Sequence, residues 1–130
     1  MVSIPSSAEF GILTVLWRRG PSTVREVHEA LSKDTGYTST LKQMQLMHEK
    51  GLLSRSERFR SHVYEPAITL EHARALFAGD LMSRFFDGSL RNLVLGALTA
   101  QRATPGELNE IRRILERFEK NAPGKGNKNK

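Results

Sequence analysis

Short polar side chains crowd the start of the stretch "GYTSTLKQMQLMHEKGLL" and could contact a nucleic acid. Hydroxyl groups can reach phosphates or base edges, and a glutamine amide can pair in a bidentate manner with adenine. A recognition helix inserts its N-terminal half into the major groove, and a helix N-terminus also attracts phosphate. Five residues of this stretch are therefore candidates for DNA contact: Thr38, Ser39, Lys42, Gln43 and Gln45.

An ordinary surface helix with a polar outer side is the alternative explanation of these residues. A helical period predicts an inward side formed by Thr40, Leu41, Met44, Met47 and His48. The outward side then carries Thr38, Ser39, Lys42, Gln45, Leu46 and Glu49. Because half of these outward groups are hydroxyls or amides rather than the usual Glu and Lys, and the hydroxyls lie at the N-terminal end, the pattern favours DNA contact.

Arginines dominate the segment that follows this helix. Arg55 lies in a predicted strand, and Arg58 and Arg60 lie in a predicted turn, Ser56 to Arg60. Guanidinium groups in such a turn can meet the DNA backbone or a minor groove. A solvated hairpin remains the alternative, and Glu57 in the same turn favours it mildly.

Residues for other kinds of chemistry are sparse. The chain has no Cys, which excludes disulfides, thiolate metal sites and cysteine nucleophiles. Its four histidines are scattered, without an HExxH motif, and His48 is expected to pack inward. No Gly-rich loop follows a strand. We therefore expect no enzymatic activity, no cofactor and no metal site.

Length and charge set broader limits. The 130 residues suit one domain, or a small domain with an accessory segment. A net charge of +6 and a pI of about 10.1 make polyanions plausible partners. Residues 1–66 contribute +2 and residues 67–130 contribute +4, so charge alone does not single out a DNA-binding half. The sequence has no secretory signal and no apolar run of membrane-spanning length, and we expect no membrane insertion and a cytoplasmic location.

The elements that must position these residues form the order α-α-α-β-β. Ser6 or Ser7 is predicted to cap a first helix that ends near Arg19, and Ser22 a second short one. On the second helix Arg25 and Glu29 stand four residues apart. The third runs from Thr38 to about Lys50, and two strands follow, Leu52 to Arg55 and Ser61 to Tyr64. This order predicts a winged helix-turn-helix.

Three amphipathic helices are predicted after Pro66, with caps at Thr69, Ser89 and Thr104 and a turn at Asp87-Gly88. They carry too many large apolar groups for a solvated appendage, so a second subunit should cover them. An intramolecular cap on the first domain is the competing interpretation. The expected dimer contacts are Leu70, Leu76, Phe77, Leu81, Phe85, Leu93, Val94, Ile111 and Leu115.

The predicted fold class is mainly α with a small β-hairpin, a winged helix-turn-helix DNA-binding domain followed by an α-helical dimerisation domain. Residues 1–67 form the first domain and residues 68–121 the three-helix second domain. Residues 122–130 lack an apolar anchor, and we expect a disordered basic tail.

Several segments together resemble the penicillinase-repressor family (BlaI/MecI/CopY type). "ILTVLWRRGPSTVREVHEAL" resembles its first two helices, "GYTSTLKQMQLMHEKGLL" its recognition helix, "SHVYEP" its second wing strand and "FFDGSLRNLVLGAL" its dimerisation helices. The resemblance covers about residues 4–120. It implies a winged-helix repressor that binds a pseudo-palindromic double-stranded operator as a homodimer, with Thr38, Ser39 and Lys42 at contact positions.

The resemblance also has departures. Family members usually have a β-branched apolar residue where Thr40 stands, so we expect looser packing of this helix. Several have Arg where Leu46 stands, which would remove one contact. Beta-lactam-responsive members are cleaved at an Asn-Phe pair after a membrane sensor-protease is triggered, but the aligned pair here is Gly96-Ala97. Copper-responsive members sense through a C-terminal cysteine motif, and this chain has no Cys.

The sequence therefore predicts a cytoplasmic homodimeric transcriptional repressor. Two alternatives from other classes stay open. A winged-helix protein-protein adaptor would not need its outward helix residues for DNA. An enzyme such as a nuclease would need a cluster of carboxylates or metal ligands that converge in the fold.

Overall fold

The structure is a computed structural model that describes residues 4–31, 36–58 and 60–122. Within these residues, six helices and one antiparallel hairpin follow one another, which confirms the predicted fold class. The elements are α1 (Ser7–Arg19), α2 (Val24–Leu31), α3 (Tyr37–Glu49), β1 (Leu53–Arg58), β2 (Ser61–Pro66), α4 (Leu70–Phe85), α5 (Leu90–Ala100) and α6 (Pro105–Lys120).

A reciprocal cap starts α1. The Ser6 hydroxyl accepts a hydrogen bond from the backbone N–H of Glu9, and the Glu9 carboxylate accepts one from the backbone N–H of Ser6. Of the two predicted caps, Ser6 is therefore the one that acts. Gly20 ends the helix with a φ of 90°, a conformation that favours glycine.

The predicted cap of α2 is wrong by one residue. Thr23, not Ser22, exchanges hydrogen bonds with Glu26 in the first turn. Ser22 instead pairs its backbone with Tyr64, through N–H···O distances of 3.0 and 2.8 Å. Because this bridge fixes Ser22 in an extended conformation beside β2, the cap falls to the next residue.

The hairpin is longer than predicted. β1 reaches Arg58 and β2 reaches Pro66, and their register runs from the pair Leu53–Pro66 to the pair Arg58–Ser61. The predicted turn was too long because the polar end of β1 pairs through its backbone and needs no apolar neighbour. Arg60 occupies the left-handed region with a φ of 66°.

The hydrophobic core belongs to the winged helix and to the start of α4. Its buried members are Ile12, Leu13, Leu16, Val24, Val27, Met44, Met47, Leu52, Leu53, Tyr64, Ile68 and Ala73. Ile68 and Ala73 lie beyond the expected domain boundary, and the Trp17 indole N–H donates to the Ile68 carbonyl oxygen at 3.0 Å. The connection into α4 is thus part of the first domain's packing.

The last three helices start where the sequence predicts. Thr69, Ser89 and Thr104 each accept a hydrogen bond from the backbone N–H three residues ahead. The turn at Asp87-Gly88 is also confirmed, because both residues have a positive φ. In this single chain α5 and α6 contain no buried residue. The predicted disordered tail lies almost wholly outside the described residues.

Candidate nucleic-acid interface

Helix α3 separates its buried side from its outward side as the sequence predicts. Thr40, Met44 and Met47 are buried, while Leu41 and His48 are half-buried. All six outward residues are exposed; we call them the outward face of α3: Thr38, Ser39, Lys42, Gln45, Leu46 and Glu49. Gln43, the fifth polar candidate, is half-buried at the margin of this face.

A hydrogen bond between two helices anchors the inner side of α3. The Thr40 hydroxyl lies 2.8 Å from Nδ1 of His28 on α2, and Thr40 is only 5% exposed. An unpaired buried hydroxyl destabilises the folded state, whereas a buried hydroxyl with a hydrogen-bond partner destabilises it little. Thr40 therefore stays buried because His28 satisfies the polar group that replaces an apolar side chain, and the looser packing of this helix stays a prediction.

An ion pair holds the other end of α3. Lys50, the C-terminal cap, donates to the carboxylate of Glu9 on α1, which is 2% exposed. Burial alone would raise the pKa of the Glu9 carboxyl. The hydrogen bonds from Lys50 and Ser6 outweigh burial, and the pKa lies below its ordinary value of 4.5. The recognition-helix candidate is thus fixed at both ends to α1 and α2.

The wing arginines are all exposed. Arg55 and Arg58 lie in β1, where Arg58 pairs with Ser61 at the tip, and Arg60 lies in the turn. The pKa of Glu26 on α2 is lowered by the backbone N–H of Thr23 and also by the charges of Arg19 and Arg58. The guanidinium of Arg58 therefore lies within electrostatic reach of Glu26 on α2.

Two residues beside the outward face of α3, Arg25 and Tyr37, are not among the predicted DNA contacts. The guanidinium of Arg25 lies over the ring of Tyr37, 4.8 Å from its centroid. The sequence suggested pairing of Arg25 with Glu29, but the described residues contain no such ion pair within 4 Å. The position of Tyr37 next to Thr38 was the available signal, whereas the contact with Arg25 depends on how α2 packs on α3.

The predicted dimer contacts fall into two groups. Leu70, Leu76, Phe77, Leu93 and Ile111 are half-buried within the chain, whereas Leu81, Phe85, Val94 and Leu115 are exposed. Leu76 packs against the core, and the Phe77 ring stacks edge-on against Phe10 with centroids 5.1 Å apart. Further large exposed apolar side chains on α5 and α6 are Leu90, Leu95, Leu98, Ile114 and Phe118.

Among the described residues, no three potential ligands from His, Asp and Glu converge as a metal site would require. No described helix combines the length and apolar character needed to cross a bilayer. The geometry that remains is an outward helix face beside a basic hairpin, which suits a polyanionic duplex.

Comparison with known proteins gives a consistent result. The family model described as penicillinase repressor matches residues 5–117. The penicillinase repressor of Bacillus licheniformis is 30% identical over 120 residues, 89% of this chain and 94% of that protein. The transcriptional regulator BlaI of Mycobacterium tuberculosis is 31% identical over 123 residues, 92% of this chain and 86% of that protein. A solved structure, MepR, a transcription regulator of the Staphylococcus aureus multidrug efflux pump MepA, aligns at 14% identity with a TM-score of 0.46, over 88% of this chain and 77% of that chain.

Proposed function

The chain belongs to the penicillinase repressor family, a family of transcriptional repressors rather than enzymes, and we propose that it represses transcription by binding a pseudo-palindromic operator as a homodimer. The observation that carries the proposal is the outward face of α3. Its six residues are all exposed, whereas the opposite side of the same helix is packed into the core.

The chemistry of this face fits a major groove. Thr38 and Ser39 lie in the first turn of α3, where hydroxyls can reach phosphates or base edges, and Lys42 follows one turn later. Gln45 adds an amide that can pair with adenine. Leu46, which is 42% exposed, offers an apolar surface that suits a thymine methyl group.

The apolar surfaces of the C-terminal helices support a second copy as partner. Phe85, Leu90, Leu115 and Phe118 are each more than 60% exposed in the single chain. Exposed apolar surface of this extent marks an interface in a stable protein. A cap on the first domain is disfavoured, since α5 and α6 contribute no buried residue in this chain.

The dimer would act by placing two α3 helices in successive major grooves on one side of the duplex, about ten base pairs apart. Once one subunit is bound, the other engages its half-site intramolecularly, and this tethering raises the overall affinity. The bound dimer would exclude RNA polymerase from the promoter in the cytoplasm. Whatever weakens the dimer would relieve repression.

Release by a membrane sensor-protease is not part of this proposal. The pair aligned with the cleavage site of beta-lactam-responsive relatives is Gly96-Ala97, on α5. A Cβ atom at Gly96 would lie 3.1 Å from the Phe86 ring. Helix α5 thus packs closely on Phe86 at this position, and a larger residue there would force the Phe86 ring to shift.

Selection of bound duplexes from a random DNA pool tests the proposal. We expect enrichment of a two-fold symmetric sequence with half-sites about ten base pairs apart. A protein-protein adaptor would enrich no sequence, and recovery of only single, unsymmetric sites would refute the dimeric mode of binding. The selected duplex also supplies the probe for the experiments below.

A further inference from the structure

A groove lies between α2, the start of α3 and β2, and we call it the α2–wing groove. It has a volume of about 420 Å³ and is lined by Thr23, Val24, Arg25, Tyr37, Leu41, Ser61, His62 and Tyr64. Tyr37 directly precedes Thr38 in α3, and Leu41 directly precedes Lys42. The groove therefore adjoins the outward face of α3 on the side toward the wing.

Arg25 is held in place in this groove. Its guanidinium lies 4.8 Å above the centroid of the Tyr37 ring, and the His28 ring meets the same tyrosine edge-on at 6.0 Å. His28 is itself anchored by its hydrogen bond to Thr40. A guanidinium carries several N–H donors in a planar fork, and this geometry matches phosphate oxygens.

The charges around the groove favour an anion. Among the described residues, its lining includes the positive charge of Arg25 and no carboxylate. Glu57 faces His62 across the hairpin. Glu26 lies one residue after Arg25, but its carboxylate accepts from the Thr23 backbone N–H and pairs with Arg19 at 3.9 Å. Neither Glu57 nor Glu26 is among the residues that line the groove.

We infer that the α2–wing groove receives a backbone phosphate of the duplex that α3 reads, with Arg25 as the positive charge that binds it. The inference rests on the proposed function, since it needs DNA on the outward face of α3. A duplex seated there runs its backbone along the margins of the recognition helix. The groove lies at such a margin, between α3 and the wing, so one strand of the duplex would pass over Arg25.

Salt titrations of DNA binding test the role of Arg25. With Arg25→Ala, the slope of log K against log salt should fall in magnitude by about 1.8, because the bound dimer loses one phosphate contact, worth about 0.9, in each of its two subunits. Affinity should fall by the same factor on the selected duplex and on a scrambled duplex of equal length. Arg25→Lys keeps the charge and should retain the slope. Arg74→Ala, which removes an exposed arginine of α4 outside the groove, is the matched control and should change nothing.

Two results would overturn the inference. An unchanged slope for Arg25→Ala would exclude a phosphate contact. A loss of preference for the selected duplex without a change of slope would make Arg25 a residue that only orients α3. In either case, the repressor proposal still holds if substitutions on the outward face of α3 reduce discrimination between the selected and the scrambled duplex. If the unmodified chain does not bind duplex DNA, both proposals fail together.

Discussion

Replacing Leu115 by alanine should weaken self-association of the chain far more than it affects folding. Leu115 lies on α6 and is 62% exposed in the single chain. Complete burial of a leucine side chain is worth about 1.5–3 kcal/mol, so covering the exposed part is worth about 1–2 kcal/mol. In a two-fold symmetric dimer each substitution occurs twice, which gives about 2–4 kcal/mol. At about 1.4 kcal/mol per tenfold change, the dissociation constant should rise by about 30- to 700-fold.

Sedimentation equilibrium over a series of protein concentrations measures this change directly. Arg113→Ala is the matched control, because Arg113 is exposed on the same helix, about 160° around the axis from Leu115. The control should leave the dissociation constant unchanged. Urea unfolding of both variants at low concentration should agree with the unmodified chain within about 0.5 kcal/mol, since an exposed side chain contributes little to the folding of a single chain.

If the Leu115→Ala variant dimerises with the same dissociation constant as the unmodified chain, the exposed apolar side chains of α6 do not form the interface. A chain that stays monomeric at every concentration would refute the dimer itself. Equal weakening by both variants would indicate a general effect on α6 rather than loss of an apolar contact.

Three further predictions concern the wing and the core. Arg58→Ala and Arg60→Ala should each weaken binding equally on selected and scrambled duplexes and lower the salt slope by about two units, one for each subunit of the dimer. Unchanged slopes in both variants would remove the wing from the interface. Tyr64→Phe should leave the free energy of unfolding unchanged or raise it by up to about 1 kcal/mol, because the buried Tyr64 hydroxyl has no hydrogen-bond partner among the described residues. A clear loss of stability in urea unfolding would show that the hydroxyl has a partner. The pKa of Glu9 is lower in the folded chain than its ordinary 4.5, so the Glu9–Lys50 contact stabilises the fold above pH 4.5 and loses this effect as the pH falls through the pKa of the folded chain. Glu9→Gln should therefore reduce the dependence of the free energy of unfolding on pH in the acid range. An equally steep dependence in the variant would contradict this assignment.

The local patterns of the sequence were enough to predict most of the fold. Periodicity located the inward side of α3, and the caps at Thr69, Ser89 and Thr104 were correct because capping depends on residues within one turn. The cap of α2 was wrong because the competing partner of Ser22 is Tyr64, more than forty residues away. A local pattern carries no information about such a bridge.

The candidate site was predictable only in part, for the same reason. Residue type and helical period identified the outward face of α3. The fit of Arg25 on Tyr37 and the pairing of His28 with Thr40 depend on the angle at which α2 packs on α3. That angle follows from the shapes of many core side chains together. The extent of the hairpin was missed because backbone pairing lengthened the strands through exposed polar residues.

The most direct test of the central claim compares affinity for the selected duplex with affinity for a scrambled one. The triple variant Thr38→Ala, Ser39→Ala and Lys42→Ala should lose most of this ratio, because these side chains supply the contacts to base edges. A control that replaces the same residue types elsewhere, at Thr99, Ser83 and Lys120, should keep it. If the triple variant of α3 still discriminates between the two duplexes as the unmodified chain does, the outward face of α3 does not read DNA.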